Sequence, residues 1–380
     1  MLEEREQFIL DWRDGQRNVT ALCGLYGISR KTGYKWLERY HAHGIEGLTD
    51  RSRAPHSQPQ RTPDTIRKRV LESRRAHPTW GARKLRAWLE RREPEVEWPA
   101  ASTIGELLRE AGLVQPRRRA RRLPALTTAR TEPEYPNHVW TVDYKGHFRL
   151  GAGEWCYPLT VVDSYSRYLV GCQAHRKPTF EGARDSLKRL FIDYGLPEVI
   201  RSDNGAPFAS TALGRLSRLN VWWLRLGIRV EHIAPGRPQQ NGRHERLHRT
   251  LQAETVEPPA GTRRGQQERF DRFLEQYNQD RPHAALQDQP PGVIYQRSGR
   301  DYPARIEPVE YPGHWQVRSV RSDGRIKFQG QVWFLSTALM GERVGLLEVA
   351  EDQWQIWFGQ RQLAVLDAIE QKLQRPGGPG

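Results

Sequence analysis

Trp140-Thr141-Val142-Asp143-Tyr144 reads as a β-strand with one residue out of keeping with a buried strand. Aromatic and β-branched residues suit a pleated, half-buried surface. Asp143 sets a carboxylate among apolar neighbours, which is costly unless the charge is paired or holds a cation. Two more β-rich runs follow, Cys156-Tyr157-Pro158-Leu159-Thr160-Val161-Val162 and Arg167-Tyr168-Leu169-Val170-Gly171-Cys172. A helical segment over 181–194, a short strand at 198–202, a helix over 211–226 and a strand at 228–233 come next. Phe270, Phe273, Leu274 and Tyr277 form the apolar stripe of one more helix. Strands met first as hairpins and then alternating with helices predict an α/β sheet with helices packed on it.

Before this segment the texture is helical and basic. Leu22, Leu25 and Tyr26, then Gly33, Trp36, Leu37 and Tyr40, give two short apolar stripes. Gly27-Ile28-Ser29 between them supplies a helix end, a corner plug and an N-cap. A helix-turn-helix is expected, with Arg30, Lys31, Thr32 and Lys35 facing phosphates and base edges. Residues 64–113 repeat the idea: Leu85, Trp88 and Leu89 line one helix, Ile104, Leu107, Leu108 and Ala111 the next, and Ser102 and Thr103 begin a second reading helix. Pro116-Arg117-Arg118-Arg119-Ala120-Arg121-Arg122 is too dense in charge to bury and reads as an arm on a phosphate backbone.

After the α/β segment, residues 305–368 turn β-rich and predict a small barrel or twisted sheet, with Trp333, Trp354 and Trp357 in its core. Ser322-Asp323-Gly324 signals a hairpin between the strands on either side. The expected division is a helix-turn-helix domain at 1–55, a second at 60–115, a basic linker at 116–133, the α/β core at 134–300, a β domain at 305–370 and a disordered tail at 371–380.

Composition fits this plan. Lys and Arg total 60 against 45 Asp and Glu, a net charge of +15, which points to a polyanionic partner. Three scattered cysteines with no CxxC pair argue against a disulfide framework and against a zinc site. No apolar run approaches the ~20 residues that span a bilayer, and no signal peptide is visible, so the expected location is the cytoplasm, with the nucleoid.

Two further acids stand out. Asp203 sits in Ser202-Asp203-Asn204-Gly205 after a strand, where α/β sheets place ligand groups. Glu245 lies in a helix after a Pro-rich loop, where Asn241, Glu245, His248, Arg249 and Gln252 share one stripe while Leu247 and Leu251 turn to the core. Phosphodiester chemistry supplies a reason to join the three acids: two magnesium ions about 3.5–4 Å apart activate the attacking oxygen and stabilise the leaving one, and magnesium prefers carboxylate oxygens. No Ser, Cys or His nucleophile is then needed.

Thr141-Val142-Asp143, Ser202-Asp203-Asn204-Gly205 and Pro238-Gln239-Gln240-Asn241-Gly242-Arg243-His244-Glu245-Arg246 resemble the three catalytic blocks of the DDE transposase and retroviral-type integrase superfamily, in its bacterial insertion-sequence branch. Asp163-Ser164-Tyr165-Ser166-Arg167, Tyr277-Asn278, Arg281-Pro282-His283 and Ala285-Leu286 are similar to accessory motifs there. The resemblance implies a ribonuclease-H-like core and Asp143, Asp203 and Glu245 as catalytic ligands of magnesium or manganese, as two ions. It also implies cutting and joining of double-stranded DNA, at element ends and target, by a homo-oligomer. Gln240, Asn241, Arg243, His248 and Arg249 would position that DNA. The 41 residues between Asp203 and Glu245 exceed the usual spacing, which leaves Glu231 and Glu254 as weaker candidates for the third acid. An inert DNA-binding regulator and a nuclease that only cuts are the alternative readings.

Overall fold

A computed structural model describes residues 2–50, 61–114, 131–210, 215–233 and 242–374, apart from the Arg243 side chain. The chain forms two compact units, Met1–Thr62 and Pro63–Gly380.

The first unit holds α1 (Leu2–Arg13), α2 (Val19–Leu25) and α3 (Arg30–His43) around Phe8, Leu22, Cys23 and Leu37. The turn between α2 and α3 forms as expected: Gly27 adopts φ +61, and the Ser29 side chain accepts from the Thr32 N–H at 3.2 Å. Leu25 does not join the apolar stripe. It ends a seven-residue helix where the chain turns away, and it is 61% exposed. Gly33 is a point of close helix contact, since a Cβ there would meet Cys23 Sγ at 2.5 Å and Phe8 Cζ at 3.1 Å. Gly→Ala inside a helix ordinarily stabilises by up to about 1 kcal/mol. Here overpacking reverses the sign, and Gly33→Ala is expected to cost about 1–3 kcal/mol in urea denaturation of the full chain.

The second unit opens with three helices, α4 (Asp64–Ala76), α5 (Ala82–Arg92) and α6 (Ala101–Glu110), on a core of Val70, Trp80, Leu85, Trp88, Leu89 and Ile104. Sequence periodicity marked α5 and α6 only. Basic residues crowd α4 and leave it a thin apolar face.

The mixed sheet comprises β1 (Val139–Tyr144), β2 (Phe148–Arg149), β3 (Trp155–Asp163), β4 (Leu169–His175), β5 (Val199–Ser202) and β6 (Arg229–His232). Its order is β2-β3-β1-β5-β6, with β4 also on β3. β1 runs antiparallel to β3 and parallel to β5. Helices α7 (Phe180–Tyr194) and α8 (Arg218–Arg225) cover the face bearing Trp140, Val142 and Ile200. α8 starts later than the expected 211, at the Ser217 capping box, and 211–214 lie outside the described residues. Helices α9 (Gly242–Leu251) and α10 (Arg263–Gln279) cover the other face through Leu247, Leu251, Phe270 and Phe273. Successive strand residues point to opposite faces, so Thr141 and Asp143 lie under α9.

The accessory motifs fasten this sandwich. Asp163 is fully buried and accepts from the Asn137 and Ser166 backbones, both at 2.8 Å. The Asn278 amide meets both backbone groups of Leu169, at 2.8 and 2.9 Å, and pins α10 to β4.

The C-terminal region is all β. β7 (Gln316–Ser319), β10 (Arg343–Ala350), β11 (Gln353–Phe358), β12 (Arg361–Asp367) and β13 (Lys372–Gln374) form one antiparallel sheet. β8 (Arg325–Phe328) and β9 (Gln331–Phe334) form a separate ribbon. Of the two expected architectures the sheet is the one formed. The hairpin expected at Ser322-Asp323-Gly324 does not pair its flanking strands: β7 joins β10, and β8 joins β9 through Gln329 (φ 45) and Gly330 (φ 73), the doubly positive turn that ribbon twist favours. Trp333 and Trp354 are buried and Trp357 half-buried. The disordered tail expected at 371–380 does not hold for Lys372–Gln374, which pair with β12; residues 375–380 lie outside the described ones. Among the described residues no helix is long and apolar enough to cross a membrane.

Candidate active site

β1 and β5 run side by side with Val142 opposite Ser202, so Asp143 and Asp203 follow at the same, carboxyl-terminal end of neighbouring strands. Adjacent strands lie about 4.8 Å apart. Asp203 Oδ1 accepts from the Gly205 N–H at 3.2 Å, and burial pushes its carboxyl above the ordinary carboxylate range despite that bond. A cation beside it would offset the desolvation. Two hard oxygen donors at adjacent strand ends therefore fit magnesium.

Glu245 stands on the first turn of α9, the helix lying over Asp143, and is exposed. The side chains that turn inward are its neighbours. His244 Nε2 lies 2.6 Å and His248 Nε2 2.8 Å from Thr160 Oγ1, and Thr160 is the residue opposite Asp143 on β3. His244 Nδ1 meets Thr141 Oγ1 at 3.1 Å. Burial drives the His244 imidazole far below its usual range and His248 down to about 4. Among the described residues one group of metal-capable side chains has ligand atoms all within 4.8 Å of one another, and it is Asp143, His244 and His248. Asp143, Asp203 and Glu245 form no such group. His248 thus leaves the outward stripe on which sequence spacing placed it, because the strand hydroxyls of Thr141 and Thr160 give imidazoles a partner that a solvated face lacks. The pair is legible in sequence as His244-Glu245-Arg246-Leu247-His248, a His-Glu-x-x-His spacing.

The two substitutes for Glu245 are committed elsewhere. Burial works against ionising Glu231, but Thr131 and the Arg201 guanidinium, at 2.8 Å, outweigh it. Glu254 pairs with Arg281 at 2.6 Å and also bonds Thr79.

Beside Glu245 the outward side of α9 and the start of α5 enclose a cleft of about 750 Å³ lined by Lys84, Arg246, Arg249, Thr250 and Ala253, with Arg83 and Arg281 also in its wall. Arg83 pairs with Asp288 at 2.8 Å. Lys84, Arg246 and Arg249 form no ion pair among the described residues. Burial, then the charge of Arg281, brings Lys84 down to about 8. Arg30, Lys31 and Lys35 on α3 are exposed and Thr32 half-buried; on α6 Ser102 is exposed and Thr103 half-buried. Arg117, Arg118, Arg119, Arg121, Arg122, Gln240, Asn241 and the Arg243 side chain lie outside the described residues.

The chain matches the Integrase core domain family over residues 133–238, and a second family of that description over 226–291. A Helix-turn-helix domain family matches 4–56, a Homeodomain-like domain family 32–108, and the IS481 family transposase C-terminal domain 315–374. A protein of insertion element IS407 from Burkholderia multivorans is 26% identical over 66% of this chain and 88% of its own length. The Gag-Pol polyprotein of baboon endogenous virus is 32% identical over 48% of this chain, a match spanning 10% of the polyprotein. Among solved structures, the simian T-cell lymphotropic virus intasome in complex with a PP2A regulatory subunit aligns at TM-score 0.39 and 17% identity, over 74% of this chain and 93% of the matched one. The magnesium complex of the HTLV-2 integrase catalytic core aligns at TM-score 0.32 and 18% identity, over 43% of this chain and all of that one. Integrase-core, helix-turn-helix and transposase C-terminal families thus tile most of the sequence in one order, and together these matches support the DDE transposase and integrase superfamily.

Proposed function

We propose that this protein is a DNA transposase, a polynucleotidyl transferase that cuts the ends of a mobile element and joins them to target DNA. The observation that supports the reading is the parallel register of β1 and β5, which brings Asp143 and Asp203 to adjacent strand ends, with Glu245 on the helix over Asp143. In this reading Asp143, Asp203 and Glu245 hold a pair of magnesium or manganese ions. Bound there, the metal supplies Lewis-acid activation of the attacking hydroxyl or water and neutralises the leaving oxygen.

The chain's own groups do the rest. Arg30, Lys31, Thr32 and Lys35 on α3, and Ser102 and Thr103 on α6, contact the repeats at the element ends. Lys84, Arg246 and Arg249 draw the phosphate backbone into the cleft next to Glu245, where unpaired cations in a concave wall concentrate a polyanion. The arginines of 117–122 follow the flanking backbone, and Gln240, Asn241 and Arg243 order the strand near the acids, while His248, turned inward onto Thr160, drops out of that set. The domain division given above, with the β domain carried on to Gln374, is part of this proposal, as is assembly of several copies on DNA, since two ends must meet for joining.

The test is an assay with labelled duplex element ends and an unlabelled target plasmid, in magnesium. Cutting followed by joining is the expected result. Retained binding without cutting would favour the inert regulator, and cutting without joined product the simple nuclease.

A further inference from the structure

His244 and His248 form a donor set that the oxygen-only chemistry above does not use. Four residues apart on α9, they lie one above the other on a single helix face, with ring centroids 4.7 Å apart. Both Nε2 atoms converge on the same point, at 2.6 and 2.8 Å from Thr160 Oγ1. Their ligand atoms and the Asp143 carboxylate lie within 4.8 Å of one another. His244 is 3% exposed, and its Nδ1 rests on Thr141 Oγ1 at 3.1 Å, the kind of outer partner that orients a metal-binding imidazole.

We propose that Asp143, His244 and His248 form a site for a borderline transition-metal cation of the zinc class. Two imidazoles and a carboxylate suit zinc or cobalt, whereas magnesium takes oxygen donors. Three protein ligands leave a fourth tetrahedral position for water. The cysteine spacing that argued against zinc concerns thiolate sites and does not bear on this one. Binding requires the Thr160 hydroxyl to swing off the two nitrogens and the ligand atoms to close by on the order of 1 Å, to the span set by metal–nitrogen bonds of about 2.0–2.1 Å. On the function proposed above, occupancy would also withdraw Asp143 from magnesium, so the zinc-loaded protein would be inhibited.

The test uses the full chain with cobalt(II) as probe, read by visible ligand-field absorption and equilibrium dialysis, without DNA or magnesium. Wild type is expected to take up one cobalt ion, with the intense bands of a four-coordinate nitrogen-ligated centre, and to release it to zinc. Asp143→Asn and His248→Gln should each weaken uptake by at least about 10-fold. Thr160→Val should tighten it, because the hydroxyl competing for both imidazoles is gone. A network that merely fastens the helix predicts no cobalt uptake by wild type and none gained by Thr160→Val, and either that result or unchanged uptake in His248→Gln overturns the proposal. Because the readout is independent of DNA joining, a failure here leaves the transposase reading standing, and a failure of joining leaves this site standing.

Discussion

Asp143→Asn is expected to abolish magnesium-dependent joining, by about 10³-fold or more, while binding to duplex ends stays within about twofold. Metal-held charge in the transition state is worth several kcal/mol, and each 1.36 kcal/mol is tenfold in rate. The amide keeps the volume of the carboxylate and its place opposite Thr160, so a change of shape is not the cause. Asp203→Asn should behave alike, and there stability separates chemistry from folding. The folded-state pKa of Asp203 is raised, so the ionised carboxylate costs stability at neutral pH, and that cost is lost as pH falls through the raised value toward the ordinary one. An uncharged amide removes the cost, and a thermal melt should show the inactive variant at least as stable as wild type. Joining by Asp143→Asn at more than a tenth of the wild-type rate would remove the acid from the chemistry.

The largest effect on stability is expected at Arg281→Ala. The guanidinium is 7% exposed, lies 2.6 Å from Glu254, itself 15% exposed, and stands 5.9 Å from the Trp80 ring. Truncation leaves the Glu254 carboxylate buried without its cation, and removing one partner of such a pair costs about 3–5 kcal/mol. Urea denaturation should show that loss, and Arg281→Met with Glu254→Leu should recover much of it, since an apolar pair leaves no stranded charge. A loss below about 1 kcal/mol for the single variant would mean that water reaches the carboxylate and the ion pair is not a fastening.

Much of the fold is legible because periodicity and burial agree. Leu247 and Leu251 face the core, as their spacing predicts, and Gly27 and Ser29 make the turn that their conformational preferences allow. What eludes the sequence depends on partners far along the chain. The turn at Gly324 is locally a hairpin signal, yet β7 pairs with β10 because the sheet offers a longer partner than the next strand does. The candidate site divides the same way. Asp143 and Asp203 are recognisable from strand ends and meet through a parallel register. His248 looks like a surface residue until Thr160, 88 positions away, supplies the reason for it to turn inward.

The helical region of α4–α6 is bolted to the sheet through Thr79 and Glu254, through Arg83 and Asp288, and by Arg91 reaching the Gln279 carbonyl at 3.0 Å. On the transposase reading, this makes the chain a caliper. The distance from the bases that α6 grips to the bond that is broken is then a dimension of the protein rather than of the DNA, and an element end would be defined by where that gauge falls.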